Sequence, residues 1–327
     1  FLIFSPLWEL SWVNFDFIIV GAGSAGCVLA NRLSADSRYS VALIEAGGKD
    51  INPWIHIPVG YFKTIQNPAL NWMYRTASDP GLNGRQLNWP RGKTLGGSSS
   101  INGLLYVRGQ AQDYDHWRQL GNAGWAWEDV LPLFKRAENW EDGEDELRGG
   151  DGPLSVTHSR KSWKIVDAWV QAAQNAGFPY NTDYNGADQY GVGYFQLTAQ
   201  DGLRCSAAKA YLKPIRDRKN LEIFTNVLTE KVIFDGKRAI GIKGARGGQS
   251  LVIKARNEVV LSAGAIGSPQ ILMLSGIGPA GQLADHGIDV RHVCEGVGKN
   301  LQDHLQARPV YKCSVPTINT RTRGLWN

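Results

Sequence analysis

The sequence predicts an α/β fold, α+β overall, in which a Rossmann-like doubly wound domain carries an added β-meander. Three patterns support this prediction: a strand–glycine turn–helix–strand unit at residues 15–45, a β region at 221–261, and a strand–small turn–helix unit at 258–275. Because the first and last patterns are both strand–helix units, we expect them to contribute to one sheet.

Two short apolar runs predict buried parallel strands, at residues 15–20 (FDFIIV) and 40–45 (SVALIE). Between them, Gly21, Gly23 and Gly26 open a segment with helical spacing. In such a unit the first glycine makes the tight turn, the second admits a pyrophosphate, and the third lets helix and strand pack closely. The helix N-terminus then faces the phosphates. Glu45 stands about 20 residues further on, where an acceptor for a ribose hydroxyl is expected.

The alternative interpretation is a strand–helix–strand unit whose glycine turn is incidental. The strand before the turn, the helix after it and the acidic residue at the end of the second strand disfavour this alternative.

Residues 46–125 are rich in Gly, Pro, Asn and Trp and show no further βαβ unit. A nicotinamide enzyme normally continues alternating strands and helices there, whereas long excursions suit an extended cofactor. The predicted cofactor is therefore FAD rather than NAD.

Segment 89–103 holds four glycines, four small hydroxyl residues and little apolar content. Its glycines allow backbone to approach a ligand closely, and its hydroxyl and N–H groups supply polar contacts. We expect it to lie along the reactive end of the cofactor. A long surface loop of turn-forming residues is the alternative.

Further elements follow from local signals. Helices are predicted at residues 126–138, 162–176 and 206–217. The second has an apolar face with Ile165, Trp169, Ala172 and Ala176. Hairpin turns are expected at residues 235–236 and 247–248. A last helix is expected to begin with Ser268 as its cap and Pro269 at its first position.

Composition restricts the class of protein. Of the 327 residues, 43% are hydrophobic and 20% charged, which is typical of a globular chain with roughly two domains. The net charge of +5 is spread without a basic run, so nucleic acid is not expected as a partner. The four cysteines form no CxxC pair, so no metal site or disulfide framework is predicted and a reducing compartment is the default.

The ends of the chain carry no regular pattern. Residues 1–14 are expected to form an irregular tail that lacks the basic start of a signal peptide. No run of about 18 apolar residues occurs, so no transmembrane helix is predicted. Both ends are interpreted as cut or misassigned rather than as natural termini.

Three segments resemble a known family: residues 15–48, residues 89–109 (WPRGKTLGGSSSINGLLYVRG) and residues 264–278 (GAIGSPQILMLSGIG). The chain is similar to the glucose–methanol–choline (GMC) flavoprotein oxidoreductases, and most similar to their branch of choline and aliphatic alcohol dehydrogenases. The resemblance implies a discontinuous FAD-binding domain at residues 15–152 and 204–306. It also implies a partial substrate domain with an antiparallel sheet, at residues 153–203 and 307–327.

The resemblance also implies which residues hold FAD. The Gly92–Ser98 loop would lie along the flavin, Asn102 to Leu105 would meet its pyrimidine edge, and Val227 would pair with the adenine through its backbone. Because the loop has no His for a covalent link, non-covalent FAD is expected. The complete predicted set is Gly21, Gly23, Ser24, Ala25, Gly26, Glu45, Ala46, Gly92, Thr94, Gly97, Ser98, Asn102, Gly103, Leu104, Leu105, Val227 and Ala263.

The implied activity is oxidation of a small alcohol by hydride transfer to flavin N5, with oxygen or a quinone-type compound as electron acceptor. A base must remove the hydroxyl proton as the hydride leaves. In the family this base is a His in a segment rich in Gly, Asn and Ala, and none of the six histidines lies in such a segment. The catalytic residue is therefore unknown and expected beyond Asn327, and His304 is interpreted as structural.

Two alternatives to an alcohol dehydrogenase or oxidase stay open. One is a catalytically silent flavin-binding fragment, which matches the chain as it stands. The other is a flavin-containing hydroxynitrile lyase, since one fold supports several chemistries. A cytoplasmic location is predicted, with a peripheral contact at the inner face of a membrane left open.

Overall fold

The computed structural model describes residues 14–304, 306, 309–317 and 320. The chain divides into two compact units, residues 1–104 with 203–301 and residues 105–202 with 302–327. Of the predicted irregular tail, residues 1–13 lie outside the described residues, and Asn14 is the first residue of a strand. The predicted division into FAD and substrate domains has other boundaries and stays a prediction.

The first unit is built on one six-stranded sheet. Its strands in chain order are β1 (Asn14–Val20), β2 (Val41–Ile44), β3 (Leu221–Phe224), β4 (Leu228–Asp235), β5 (Arg238–Arg246) and β6 (Gln249–Leu261). Their order in the sheet is β4-β5-β6-β1-β2-β3. Strands β6, β1, β2 and β3 run parallel, whereas β4, β5 and β6 form an antiparallel meander. The predicted α/β fold with a β-meander is confirmed.

The first and last predicted strand–helix units do share this sheet. In the register, Ile18 of β1 pairs with Val259 of β6 on one side and with Ala42 of β2 on the other. Helix α1 (Ser24–Leu33) follows β1, and helix α2 (Gly264–Leu274) follows β6. Parallel strands buried on both faces need continuous apolar runs, which is why β2 reads VALI and is fully buried.

The hydrophobic core of this unit joins the parallel strands to the meander. Ile18 and Ile44 are buried in one cluster with Ile242 and Ile253 of the meander and Ile271 of α2. A buried side chain of this size contributes roughly 1.5–3 kcal/mol relative to an exposed one. The meander is thereby packed against the parallel strands and α2.

Both predicted hairpin turns are present. Asp235 pairs with Arg238 across the first, and Arg246 pairs with Gln249 across the second. The second turn contains Gly247 and Gly248 at φ +56 and +82, a left-handed conformation that glycine adopts without a steric penalty.

The predicted start of the last helix is wrong. Helix α2 begins at Gly264, with Ala263 as its N-cap, so Pro269 lies inside the helix rather than at its first position. Proline lacks an N–H and removes one helical hydrogen bond there. The turn after β6 starts the helix earlier than the Ser–Pro signal indicates.

Smaller elements complete the first unit. They are the helices Pro53–His56, Tyr61–Thr64 and Ala280–Asp285, and the strand pairs Tyr74–Arg75 with Asn88–Trp89 and Ile277–Gly278 with His292–Val293. The predicted helix at residues 206–217 is a five-residue π-helix, Ala208–Leu212, followed by a 3₁₀ turn, Lys213–Ile215. Pro214 lies in that turn because its missing N–H prevents continuation of the wider helix.

The described part of the second unit includes the helices Ala111–Gln119, Trp127–Ala137 and Lys164–Asn175. Among its short strands, Glu138–Trp140 pairs parallel to Leu154–Val156, and a further strand lies at Ala199–Gln200. The helix predicted at 162–176 is present, but it buries Val170 while Trp169 is 60% exposed. A shared apolar face therefore did not identify the side that is covered.

Buried ion pairs lie within this second unit. Glu138 accepts from the guanidinium groups of Arg108 and Arg148, and Arg148 also bonds Asp183 at 2.6 Å. Both arginine side chains are almost completely buried, so their charges need these partners.

Among the described helices of the whole chain, none is long and apolar enough to cross a membrane.

Candidate functional site

A cavity of about 500 Å³ opens at the carboxyl ends of β1, β2 and β6. Ligands of open α/β sheets bind at this edge, outside the ends of the parallel strands. The walls come from the turn after β1, the segment after β2, the glycine loop at residues 92–98, the start of β4 and the turn into α2. All of these segments belong to the first unit.

Two helix N-termini border the cavity. Gly23, Ser24 and Ala25 at the start of α1 line it, as do the first residues of α2 from Gly264 onward. Neither N-cap residue, Gly23 or Ala263, has a side chain that bonds the first N–H groups of its helix. Helix N-termini carry partial positive charge and unsatisfied donors, which suits an anion such as a pyrophosphate.

The carboxylate of Glu45 lies at the end of β2 and is 5% exposed. Its Oε2 accepts from the N–H of Ala22 at 2.9 Å, and its Oε1 accepts from the N–H of Gly47 at 2.8 Å. Burial raises its pKa to about 7, and this effect exceeds the opposing effects of the two N–H donors and of Lys93. Each oxygen keeps a further lone pair, so the carboxylate can also accept from a ligand hydroxyl.

The glycine loop packs directly on the turn after β1. Gly97 has φ +54, and a Cβ built on it would lie 2.7 Å from Cα of Gly23. The N–H of Gly92 donates to Oγ of Ser98 at 3.1 Å, which closes the loop on itself. Such close backbone approach leaves the two segments side by side in the cavity wall.

Arg204 holds the continuation of this loop from behind. It is 1% exposed, and its guanidinium donates to the carbonyl oxygens of Ile55, Ser99 and Asn102 and to Oδ1 of Asn102, at 2.7–3.0 Å. Asn102 Oδ1 also accepts from the N–H of Leu104, a buried residue at φ +65. A left-handed backbone conformation costs free energy in a residue other than glycine. The contacts of Arg204 help to hold Leu104 in that conformation.

The structure brings most of the predicted cofactor residues to one cavity. Those that line it are Gly21, Gly23, Ser24, Ala25, Glu45, Ala46, Gly92, Gly97, Ser98, Val227 and Ala263. Their assignment to FAD remains a prediction, now with a common location.

The other predicted residues do not line this cavity. Gly26 lies beneath the turn, where an added Cβ would be 1.9 Å from the oxygen of Gly21. Thr94 is fully buried and its hydroxyl donates to the oxygen of Gly48. The remaining four are Asn102, Gly103, Leu104 and Leu105, of which Leu105 belongs to the second unit.

Sequence reasoning missed several residues of the cavity wall: Trp72, Tyr74, Arg91, Leu228, Thr229, Leu261, Ser262, Gln270 and the first turn of α2 from Gly264 to Ser268. Trp72 and Tyr74 stack with ring centroids 5.8 Å apart, in a segment without strong periodicity. The small residues at the start of α2 were a usable signal, since they stand directly after a strand. The Ser268–Pro269 pair led to a predicted helix start that was several residues too late.

The parallel strand order and the glycine turn at the carboxyl edge define a Rossmann-like protein of the dinucleotide-binding class. Residues 15–306 match the family described as GMC oxidoreductase. The chain belongs to the GMC oxidoreductase family.

Its relatives include oxygen-dependent choline dehydrogenases. The one from Photobacterium profundum is 46% identical over 311 residues, 94% of this chain and 55% of the relative, and the one from Brucella anthropi is 47% identical over 301 residues, 92% and 55%. The chain thus spans about half the length of these relatives.

Solved structures agree on the fold. Pyridoxine 4-oxidase from Mesorbium loti superposes with a TM-score of 0.82 at 35% identity, covering 86% of this chain and 55% of the other. An FAD-dependent oxidoreductase from Chaetomium thermophilum gives a TM-score of 0.78 at 32% identity, covering 85% and 50%. These similarities confirm the family resemblance of the sequence.

Replacement of Gly97 tests the contact between loop and turn. Gly97→Val should abolish cofactor loading, because its β-branched side chain opposes φ +54 and would meet the backbone of Gly23. The measurement is flavin absorbance after gel filtration of protein incubated with FAD. Gly281→Ala is the control, since its Cβ meets nothing within 4 Å. Normal loading of Gly97→Val would show that the loop does not border the cofactor.

Glu45 should make the stability of the ligand-free protein depend on pH. Its pKa is raised from 4.5 to about 7 in the folded state, so the folded chain holds a proton between these values that the unfolded chain has lost. The free energy of unfolding should therefore fall as pH rises from about 4.5 to 7, by about 3 kcal/mol from this group.

Denaturant unfolding at several pH values measures this slope. Glu45→Ala should remove the contribution, whereas Glu222→Ala, which changes an exposed carboxylate on β3, should keep it. An identical slope in the unaltered chain and in Glu45→Ala would contradict the raised pKa.

Proposed function

We propose that the protein binds FAD non-covalently in the cavity of the first unit and serves in the oxidation of a small alcohol. The supporting observation is the convergence of three groups on one cavity: the glycine turn with the N-terminus of α1, the buried carboxylate of Glu45, and the glycine loop at residues 92–98. Together they match the three polar parts of a dinucleotide, namely pyrophosphate, ribose and the reactive ring system.

Each group has a distinct task in this proposal. The N–H groups at Ser24 and Ala25 would hold the pyrophosphate, and Glu45 would accept a hydrogen bond from a ribose hydroxyl. Gly97 and Ser98 would border the reactive ring and keep side chains away from it. Bound FAD would supply the hydride acceptor, while the chain's own residues position the cofactor and exclude water.

The substrate class comes from the relatives. Two oxygen-dependent choline dehydrogenases share 46% and 47% sequence identity with this chain. This similarity supports an amino alcohol or another small primary alcohol as the substrate. The same names support oxygen as an electron acceptor, with a quinone-type compound as the alternative. Because the chain spans about half of these relatives, the activity of the whole protein is part of the proposal.

Loss of the Glu45 carboxylate should weaken FAD binding. We expect the Glu45→Ala dissociation constant to rise by the equivalent of about 1–3 kcal/mol, the range for losing a charged hydrogen-bond partner. Titration of apoprotein with FAD, followed by flavin fluorescence, gives both constants, with Glu222→Ala as the matched control on β3. Equal affinity in Glu45→Ala would rule out the ribose role, and absence of FAD binding by the unaltered chain would rule out the cofactor.

Anaerobic mixing with choline or a medium-chain primary alcohol tests the oxidation itself. The protein purified from its source should lose flavin absorbance, whereas the FAD-loaded chain of 327 residues should keep it. No histidine among the described residues lines the cavity, and a site without a general base and substrate positioning reacts more slowly by several powers of ten.

Two outcomes would contradict this expectation. An unchanged flavin in the source protein with every alcohol would rule out alcohol oxidation. Rapid loss of absorbance in the 327-residue chain would place the base within it, and His304, an exposed residue beside Asp303, would be the first candidate.

A further inference from the structure

One buried hydroxyl in the cavity wall lacks a hydrogen-bond partner. Thr229 is the second residue of β4, is 8% exposed and lines the cavity. Its Oγ1 makes no hydrogen bond to any of the residues that the structure describes. A buried hydroxyl without a partner lowers the free energy of unfolding by about 1–3 kcal/mol. Binding of a ligand by this hydroxyl is one of the few reasons for a protein to retain it.

Two other hydroxyls in the same wall are hydrogen-bonded to the protein backbone. Ser262 Oγ donates between the oxygens of Val20 and Gly21, at 3.0 and 2.8 Å, and so ties β6 to the turn after β1. Ser98 Oγ accepts from the N–H of Gly92. These two side chains serve the backbone, whereas Thr229 has no such task in the described part of the chain.

The position of Thr229 indicates which part of a dinucleotide it would meet. The N–H of Val227, two residues earlier, donates to the backbone oxygen of Glu45 at 2.9 Å. The start of β4 is thus joined to the segment that carries the proposed ribose acceptor, and Val227, Leu228 and Thr229 continue the cavity wall from there. Because the base is attached to the ribose, the base is the group expected beside this stretch.

We propose that Thr229 is a specificity-determining residue for the adenosine end of the cofactor, where its hydroxyl hydrogen-bonds the polar edge of the purine base. The inference rests on the proposed function and deepens it. A hydroxyl both donates and accepts, and adenine offers an amino donor beside ring-nitrogen acceptors. Flavin mononucleotide has no such base, so the contact distinguishes the dinucleotide from the mononucleotide.

The test compares Thr229→Val, which removes the hydroxyl at nearly constant shape, with Thr229→Ser, which keeps it. The probes are ADP, which carries the adenosine end alone, and flavin mononucleotide, which lacks it, each titrated by calorimetry. Thr229→Val should bind ADP roughly three- to tenfold more weakly, the loss expected for one neutral hydrogen bond. Thr229→Ser should bind ADP nearly as the unaltered chain does, and flavin mononucleotide should bind all three alike.

Thermal unfolding of the ligand-free proteins separates a ligand contact from a structural one. Thr229→Val should unfold at the same temperature or higher, because it removes a buried polar group that has no partner. A lower unfolding temperature, or failure to fold, would mean that the hydroxyl already has a partner within the protein and would overturn the proposal. Unchanged ADP affinity in Thr229→Val, or equal losses for both probes, would overturn it as well.

The same titrations distinguish failure of the Thr229 role from failure of the proposed function. FAD binding by the unaltered chain together with unchanged ADP affinity in Thr229→Val would reject the role of Thr229 alone. Binding of ADP without binding of FAD would reject the proposed function and still decide the role of Thr229.

Discussion

Close backbone contact at the carboxyl edge of the sheet is the constraint on which the cavity depends. The helix after β1 can start where it does because Gly26 has no Cβ, which would lie 1.9 Å from the oxygen of Gly21. The glycine loop can lie on the same turn because Gly97 has none to meet Gly23. A methyl group at either position would push apart two segments that form adjoining walls. At these two contacts the segments are packed backbone against backbone, which leaves no room for a side chain.

Glu45 connects this arrangement to binding. Its carboxylate joins the turn after β1 to the segment after β2 by accepting from Ala22 and Gly47, and it does so in a place where ionisation is penalised, as its pKa of about 7 shows. A neutral amide would avoid the penalty but would present a donor to one of the two N–H groups. The carboxylate thus lowers stability near neutral pH while holding an acceptor ready for a ligand, a compromise typical of functional sites.

Elements with a local mechanical cause could be predicted from the sequence, and elements set by distant contacts could not. The glycine turn, the apolar strands and both hairpins follow from neighbouring residues, and the structure has them. The start of α2 at Gly264 depends on where β6 leaves the sheet, which overrides the Ser–Pro signal at residue 268. Arg204 gave no sequence signal, because its acceptors at Ile55, Ser99 and Asn102 are more than a hundred residues away along the chain. Thr229 was missed for the same reason, since a missing partner is visible only once its surroundings are assembled.

The cavity wall is equipped for holding a cofactor more than for moving protons. The titratable side chains that the described residues contribute to it are Glu45, Tyr74 and Arg91. Glu45 already serves two backbone N–H groups, burial raises the pKa of the Tyr74 hydroxyl, and a guanidinium does not lose its proton in proteins. In the proposed arrangement none of the three takes a proton from an alcohol, because Tyr74 and Arg91 keep their own protons near neutral pH and the Glu45 carboxylate is assigned to the ribose hydroxyl. This division agrees with a general pattern of cofactor enzymes, in which one part of the protein fixes the cofactor and another brings the substrate and base to its reactive atom.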